Sequence, residues 1–522
     1  MPASIAGNRK PLPQGVLAPL PLTAIRPRGW LYERIANVDG ATLEDRLMKA
    51  CLLRENSLLG AAGDEVAWLL THDGDLTEEE IRALMRYHGV SGDKRAPLRL
   101  FQHAKALLGA LTGGARWGAA RAANASGLLH MALWLYNLTG RKALLELCRL
   151  IKAQAPDWMS TFHVFSQTRP VLAPPPMDAD AYYRVHGPTV AASLKTPALQ
   201  ALFEGGLKNE TAFRAGWEKL TRYHGAAHGL FNADPLLGGA NPSAQVDPET
   251  VAELIRSLEV LLWALGDPSI GDLLERIAYG ALPAARGRQA ANQLMPAPPG
   301  HPVGMAQAAA SLWMATQDEG LAVIGYAPCE VRWRVAGQPI QAVVETGYPF
   351  DETITIHVRM KAPARFPLYL RVPAFSRGAF AKVGDEEPIA CGQGFEVIER
   401  VWQNGDKIEL TLPMRVQTVR RYHQTISVER GPLTYVLPVT AQTRWNLALL
   451  PAHGFEVTRQ GEVPMITAYG APVPGWRKSG ERPAPPPVAP EVSGMLPVRL
   501  MPYGMTDARI AQFPVGNSTF TG

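Results

Sequence analysis

Acidic side chains that are able to do acid–base chemistry lie close together in one stretch of the sequence. Glu249 and Glu253 are four residues apart, so they share one face of a helix. Asp247 precedes them, and Asp234 falls in the loop before that helix. General acid–base catalysis of a hydrolysis can be carried out by two carboxylates that face each other, one protonated and one ionised. We therefore expect an acid–base pair drawn from these four residues.

The same residues also have a structural interpretation. Asp247-Pro248-Glu249 is typical of a helix start, with Asp as the N-cap, Pro in the first helical position and Glu in the first turn. Capping alone accounts for this pattern. Because a helix N-terminus can cap and also face a pocket, the two roles can coexist.

Polar side chains elsewhere are candidates for substrate binding. His186 and His224 are able to bind a ligand or move a proton, although a lone histidine is more often structural. Asn292 and Gln293 are candidate pocket amides, but they are equally able to bond their own backbone. Four aromatic residues are candidates to stack on a sugar-sized ring: Trp134, Tyr136, Trp158 and Tyr183. Their helical spacing, however, is more typical of a core.

The elements that would position these residues are helical in the first part of the chain. Residues 124–138 carry an apolar stripe at helical spacing and are followed by a second apolar helix. Residues 247–265 and the segment after Gly266-Asp267-Pro268 repeat the arrangement. Helical hairpins laid side by side predict an α/α toroid or a helical solenoid over residues 1–317.

Near residue 320 the spacing changes to period two, which is typical of half-buried strands. Asn404-Gly405, before a further strand, predicts a β-hairpin. We expect an antiparallel β-sandwich over residues 318–440 and a C-terminal β extension over residues 441–522. The proline-rich residues 482–490 are predicted to form an extended surface connection that does not pair in a sheet.

Composition excludes several classes of protein. The 522 residues, 47% hydrophobic and 19% charged, can bury a large core in more than one domain. A net charge of +5 gives no reason to expect a nucleic-acid or membrane partner. The four cysteines are scattered without a C-x-x-C pair, so they make neither a zinc ribbon nor a disulfide framework. We expect a cytoplasmic protein with reduced thiols and no cofactor.

Several stretches of the chain, in order and spacing, resemble glycoside hydrolase family 127, the β-L-arabinofuranosidase-like group. The resemblance spans most of the sequence. It implies an (α/α)6 barrel that carries the active site, followed by β-sandwich modules, and a carbohydrate substrate. The stretches are residues 28–31, 134–140, 186–187, 195–199, 222–225, 229–231, 241–243, 257–261, 310–316, 368–373, 430–433 and 501–504.

The resemblance also implies a zinc centre, held by a Glu-x-Cys element and an adjacent Cys-Cys pair, with a separate Glu as acid/base. Here Asp247 and Glu249 occupy the positions of the Glu-x-Cys element. Pro296-Ala297 occupy the positions of the cysteine pair. Pro235 falls where relatives have the acid/base Glu, which leaves Asp234 beside it. No cysteine lies between Cys148 and Cys329. We therefore expect a divergent member without the cysteine and zinc mechanism.

Three functions stay open. The first is a glycoside hydrolase that acts on an oligosaccharide through carboxylates. The second is a pseudoenzyme that binds sugar or scaffolds an active paralogue, since the ligand positions and the acid/base Glu have changed together. The third is a lyase or isomerase on the same toroid, because fold does not determine reaction. A homo-oligomer or a complex with a paralogue is compatible with each.

Overall fold

The structure is a computed structural model that describes residues 7–37, 40, 42–55, 60, 62–171, 178–284, 288–296 and 304–518. The predicted architecture is confirmed: an (α/α)6 barrel is followed by β-sandwich modules. The described helices are α1 Gly29–Ala36, α2 Leu43–Leu53, α3 Gly63–Thr71, α4 Glu78–Ser91, α5 Arg95–Thr112, α6 Ala119–Ala123, α7 Ala125–Thr139, α8 Ala143–Gln154, α9 Trp158–Val164, α10 Ala179–Tyr183, α11 Gly187–Ser193, α12 Thr196–Glu204, α13 Leu207–His224, α14 Pro248–Leu265, α15 Pro268–Glu275 and α16 Met305–Ala310.

The helices that line the barrel interior run parallel to one another. Arg82 of α4 pairs with Glu253 of α14, and one turn further Arg86 pairs with Glu259. On α7, Gly127 lies against α4, where an added Cβ would lie 2.2 Å from the Glu78 carboxylate. The N-termini of α4, α7 and α14 therefore lie at the same end of the barrel, which we call the N-terminal end. Within the described residues, none of the helices is long and apolar enough to cross a membrane.

Three main sheets make up the β part. The five-stranded sheet has the order β1-β6-β7-β11-β14, and β7 and β11 are parallel in it. The seven-stranded sheet has the order β13-β12-β15-β10-β9-β8-β2. In the nine-stranded sheet the path is β16-β17-β18-β25-β21-β19, with β20, β26 and β5 attached to it. As the alternation predicts, Ile354, Ile356 and Val358 are buried.

The strands are short or medium in length and pair mostly with antiparallel neighbours. They are β1 Leu17–Pro19, β2 Ile25–Pro27, β3 Gln245–Val246, β4 Gln289–Ala290, β5 Asn292–Gln293, β6 Trp313–Thr316, β7 Leu321–Val323, β8 Cys329–Val335, β9 Gln338–Thr346, β10 Thr353–Met360, β11 Ala364–Val372, β12 Ala379–Val383, β13 Ile389–Cys391, β14 Gly394–Trp402, β15 Lys407–Thr411, β16 Val416–Arg420, β17 Ile426–Arg430, β18 Leu433–Pro438, β19 Leu447–Leu449, β20 Glu456–Gln460, β21 Val463–Pro472, β22 Lys478–Ser479, β23 Arg482–Pro483, β24 Glu491–Val492, β25 Leu496–Pro502, β26 Arg509–Ile510 and β27 Asn517–Ser518.

The Asn404-Gly405 turn does not make the predicted hairpin. It joins β14 in the five-stranded sheet to β15 in the seven-stranded sheet, and these two strands pair with other partners. Gly405 has a φ of 95° and donates its N–H to the Val358 carbonyl at 2.9 Å. The turn therefore extends the pairing of β10 with β15, and the chain crosses between sheets there.

The proline-rich stretch also differs from its prediction. Its first residues form β23, in which Arg482 and Pro483 pair with Ser479 and Lys478. A proline cannot donate to a ladder but still offers its carbonyl, so it is tolerated in a two-residue edge pair. The Pro483 carbonyl accepts a hydrogen bond from the Ser243 hydroxyl at 2.9 Å. This stretch is therefore attached to the barrel.

Strand pairing crosses both predicted domain boundaries. β2, from the first 30 residues, pairs with β8, which follows residue 317. In the nine-stranded sheet, β18 precedes residue 440 and pairs with β25, which follows it. β5 of the barrel region pairs with β26. Strand pairing thus connects segments that are distant in sequence.

A buried arginine connects the barrel to the five-stranded sheet. The Arg371 side chain on β11 is 0% exposed and forms ion pairs with Asp272 and Glu275 of α15. Glu275 also accepts a hydrogen bond from the Tyr348 hydroxyl at 2.5 Å. Because buried charges are stable only when paired, this contact determines how α15 lies against β11.

We predict that Arg371→Met lowers the free energy of unfolding by about 3–5 kcal/mol, since it leaves the buried Glu275 and the partly buried Asp272 without their cation. The matched control is Arg365→Met on the same strand, whose ion pair with Glu399 is exposed. That pair should contribute less than about 1 kcal/mol. Urea unfolding of both variants measures the difference, and equal losses would contradict this account of the barrel–sheet contact.

Candidate functional site

The first turn of α14 forms the centre of the candidate site. Asp247 is the N-cap, and its Oδ1 accepts hydrogen bonds from the backbone N–H groups of Glu249 at 2.6 Å and Thr250 at 3.4 Å. Pro248 is the first helical residue. The predicted capping is therefore present. Asp247 also donates its own N–H to the Ala233 carbonyl at 2.9 Å, which brings the preceding loop to the helix N-terminus.

That loop carries Asp234 to the same end of the barrel. The Asp234 carboxylate forms an ion pair with Arg288 at 3.0 Å. The next residue, Pro235, accepts the N–H of Gly187 at 2.7 Å. Gly187 has no room for a side chain, because an added Cβ would lie 2.4 Å from the Ala233 side chain. This close approach places the start of α11, and His186 before it, beside Asp234.

Asp247 is the electrostatic centre of this group. Burial raises the pKa of Asp234; Arg288 opposes the rise, and Asp247 adds to it. Partial burial, Asp247 and Glu253 together raise the pKa of Glu249. Burial lowers the pKa of His186, and Asp247 opposes this effect. Four of the predicted residues, Asp234, Asp247, Glu249 and His186, are thus brought together.

Aromatic rings surround the imidazole of His186. Its Nδ1 lies 2.9 Å from the Thr189 hydroxyl. Tyr182 stacks on it with ring centroids 5.3 Å apart, and Tyr183 contacts it edge-on at 6.1 Å. A ring surface next to carboxylates is suited to holding a sugar, whose C–H face packs on aromatics while its hydroxyls bond polar groups.

The other predicted residues have structural partners. His224 accepts the Gly239 N–H at its Nδ1 and contacts the Gln167 carbonyl through Nε2 at 2.7 Å, so both ring nitrogens are used. Asn292 accepts two backbone N–H groups from the segment after β26 and donates to the Gln512 carbonyl. Gln293 bonds the backbone of Ala290 and Met295. These side chains stabilise the fold around the site.

Glu253 lies one turn deeper in α14 and belongs to a different group. It is buried and pairs with Arg256 at 3.0 Å, Arg82 at 3.4 Å and Lys195 at 3.6 Å. It is part of a set of eight charged side chains in the middle of the barrel, which we call the barrel charge cluster. Its members are Glu44, Glu78, Arg82, Arg86, Lys195, Glu253, Arg256 and Glu259.

Glu44 is the most enclosed anion of the barrel charge cluster. Burial disfavours its charge, but Arg256, Arg86 and Arg82 outweigh that effect and hold its pKa at about 2. Its oxygens lie 3.0 to 3.3 Å from the three guanidinium groups. Sequence reasoning missed this cluster. The available signal was the spacing of charges by three or four residues on α4 and α14, which puts them on one helix face.

The thiolate zinc centre of the resembled family does not fit these residues. Asp247 and Glu249 are oxygen donors, and Pro296 occupies the first position of the cysteine pair; Ala297 lies outside the described residues. The four cysteines are unpaired and lie in α2, α8, β8 and β13, away from Asp247. Across the described residues, no group of three or more His, Cys, Asp and Glu side chains is arranged to hold a metal ion.

Comparison with known proteins agrees with this architecture. The family model of the GH127 β-L-arabinofuranosidase middle domain matches residues 320–414. A GH127 β-L-arabinofuranosidase from Geobacillus stearothermophilus T6 superimposes with a TM-score of 0.70 at 17% identity, covering 94% of this chain and 92% of the other. The chain is similar to GH127 proteins: in sequence over residues 320–414 and in fold along almost its whole length. No curated protein sequence matches it.

Two further solved structures share the GH127-like fold along almost their whole length. A glycoside hydrolase has a TM-score of 0.74 at 14% identity and covers 98% of this chain and 100% of its own. A GH127 β-arabinofuranosidase has a TM-score of 0.69 at 14% identity, with coverages of 96% and 98%. At these identities the similarity establishes the fold of the GH127-like chain.

We predict that Glu44→Gln lowers the free energy of unfolding at neutral pH by about 3–5 kcal/mol, because it removes a buried anion from three guanidinium groups. The Glu44 pKa is about 2 in the fold against 4.5 in the reference state. Its contribution is therefore complete above pH 4.5 and is lost as the pH falls towards 2.

The control is Glu65→Gln, which removes an exposed partner of Arg46 and should cost less than about 1 kcal/mol. Denaturant unfolding of wild type and both variants at several pH values measures the effect. If Glu44→Gln keeps the acid sensitivity of the wild type between pH 4.5 and 2, Glu44 is not the group responsible for that part of it.

Proposed function

We propose that this GH127-like protein is a glycoside hydrolase that acts on an oligosaccharide. The observation that carries the proposal is the convergence of Asp234, Glu249 and His186 around Asp247 at the N-terminal end of the barrel. Backbone hydrogen bonds hold the start of α14, the loop with Asp234 and the start of α11 together there. The solved relatives named as β-arabinofuranosidases make arabinofuranosyl linkages the first substrates to test.

Glu249 is the proposed proton donor. Its raised pKa keeps it protonated to higher pH than an ordinary glutamate, and it reaches solvent in the first turn of α14. A general acid needs this property, since it must give its proton to the glycosidic oxygen as the bond breaks. Glu253 and Asp247 both favour the protonated form.

Asp247 is the proposed ionised partner. Its Oδ1 is held by two backbone N–H groups, and the positive end of the helix dipole favours a carboxylate there. An ionised carboxylate beside the anomeric carbon either stabilises the positive charge that develops in the transition state or activates a water molecule. His186 and Tyr183 would hold the sugar, and Arg288 would hold Asp234 in place.

A second candidate is sugar binding without turnover. It is favoured by the structural partners that two of the carboxylates already have: Asp247 caps α14, and Asp234 is paired with Arg288. A pseudoenzyme needs these residues only for the fold. The two candidates differ in turnover and agree in binding. For either function we propose a cytoplasmic location, in keeping with four unpaired cysteines.

We predict that Asp247→Asn and Glu249→Gln each lower kcat/KM by about 10²–10⁴-fold on arabinofuranosyl oligosaccharides, because each removes one proton-transfer or charge-stabilising group. Asparagine is as good an N-cap as aspartate, so the fold of the Asp247 variant should be kept. Release of reducing sugar, with circular dichroism to check folding, is the measurement.

Asp267→Asn is the matched control. Asp267 caps α15 in front of Pro268, as Asp247 caps α14 in front of Pro248, but it lies at the other end of the barrel. The Asp267→Asn variant should be as active as the wild type. Unchanged turnover in Asp247→Asn would contradict the proposed chemistry, and wild-type binding of the oligosaccharides without turnover would favour the second candidate.

A further inference from the structure

A separate cavity of about 270 Å³ lies at the C-terminal ends of the inner helices. Its walls include Trp263, near the end of α14, and Trp134, near the end of α7. Trp263 is 16 residues further along α14 than Asp247, which corresponds to about 24 Å at ~1.5 Å per residue. The barrel charge cluster fills the space between. The cavity is therefore distinct from the candidate active site.

The outer part of the cavity is apolar and aromatic. Trp134 contacts His88 edge-on at 5.6 Å, and Trp263 lies 6.2 Å from the His130 ring. Met85 adds an apolar surface, and exposed Gly89 lies at the rim, so the cavity reaches the protein surface. Such walls are suited to packing against the two faces of a single ring of a ligand.

The inner part of the cavity has a buried ammonium group that is not fully hydrogen-bonded, and its two lining carboxylates have no unused oxygen. The Nε of Arg82, by contrast, lies 3.3 Å from the Glu44 carboxylate. Lys195 is 3% exposed, and among the described residues the one carboxylate within 4 Å of its ammonium group is Glu253, at 3.6 Å. The two lining carboxylates, Glu44 and Glu259, already accept hydrogen bonds at both oxygens.

The charges on the cavity wall, like this ammonium group, favour an anionic ligand. The lining cations are Arg82, Arg86, Lys195 and Arg256, and the lining anions are Glu44 and Glu259. Buried donors without partners cost free energy, which a ligand with acceptor oxygens would recover. Glu78 and Glu253 balance the other two cations of the barrel charge cluster but do not line the cavity, so a negative ligand group would face more cations than anions at the wall.

We infer that this cavity binds a small organic monocarboxylate, with its ring between the apolar walls and its carboxylate towards Lys195. The volume of about 270 Å³ accepts one ring with a short substituent. This site does not depend on the proposed hydrolase activity, because none of the residues around Asp247 lines it.

The experiment uses benzoate as the anionic probe and benzamide as its neutral counterpart of the same shape. We expect benzoate to raise the Tm of the full-length protein in a concentration-dependent way, and benzamide to bind at least about tenfold more weakly because it lacks the charge. In crystals soaked with 4-bromobenzoate, the anomalous bromine peak should lie next to Trp134 and Trp263.

Trp134→Leu should weaken benzoate binding by about tenfold through loss of the aromatic wall. Trp68→Leu is the control, since Trp68 is exposed on α3 and outside the cavity, and Asp247→Asn is a second control that alters only the other end. Both control variants should bind benzoate as tightly as the wild type does. A bromine peak at the N-terminal end, no peak at all, or equal binding of benzamide would overturn the inference.

Discussion

Neutralisation of buried charge inside the barrel is the constraint on which the other features depend. Glu44 enters the barrel charge cluster from α2, and Arg82 and Arg86 enter it from α4. Lys195 precedes α12, and Glu253, Arg256 and Glu259 come from α14. An unpaired buried charge costs several kcal/mol, so each helix is held at the rotation and register that pairs its charges. This pairing also determines where the two ends of α14 lie.

Helix α14 shows the consequence most directly. Its middle is fixed by Glu253 and Arg256, so its first turn presents Asp247 and Glu249 at one end of the barrel and its last turn presents Trp263 at the other. The cluster also acts electrostatically on the first turn. Burial and Asp247 do most to raise the pKa of Glu249; Glu253 adds to the rise, and Arg256 and Arg82 oppose it. The cluster therefore fixes the position of the first turn and modifies its proton affinity.

Local signals in the sequence predicted the fold well. Apolar spacing predicted the hairpins of α7 with α8 and of α14 with α15, and Asp247-Pro248 predicted a cap that is present. The Asn404-Gly405 prediction was wrong because a turn motif does not specify which strand its neighbours pair with. The proline-rich prediction was wrong for Arg482 and Pro483, which pair in β23 where a proline is tolerated, and right for residues 484–490, which are in no strand.

The candidate site was less predictable from sequence. Four candidate residues lie together, but His224, Asn292 and Gln293 bond backbone groups whose positions only the fold determines. The barrel charge cluster joins residues from Glu44 to Glu259, and local spacing relates only those that lie on the same helix. Arg482, which lowers the pKa of Asp234, comes from the far end of the chain. Long-range contacts of this kind arise only after the helices and sheets have packed.

We propose that the carboxylates at the start of α14, Asp247 and Glu249, occupy the place of the thiolate centre and carry out the chemistry. The most direct test is a crystal structure of the Glu249→Gln variant with a bound arabinofuranosyl oligosaccharide. The account predicts that the glycosidic oxygen lies within hydrogen-bond distance of the residue 249 side chain, with Asp247 facing the anomeric carbon. A sugar bound elsewhere, with neither side chain in reach of the scissile bond, would contradict it.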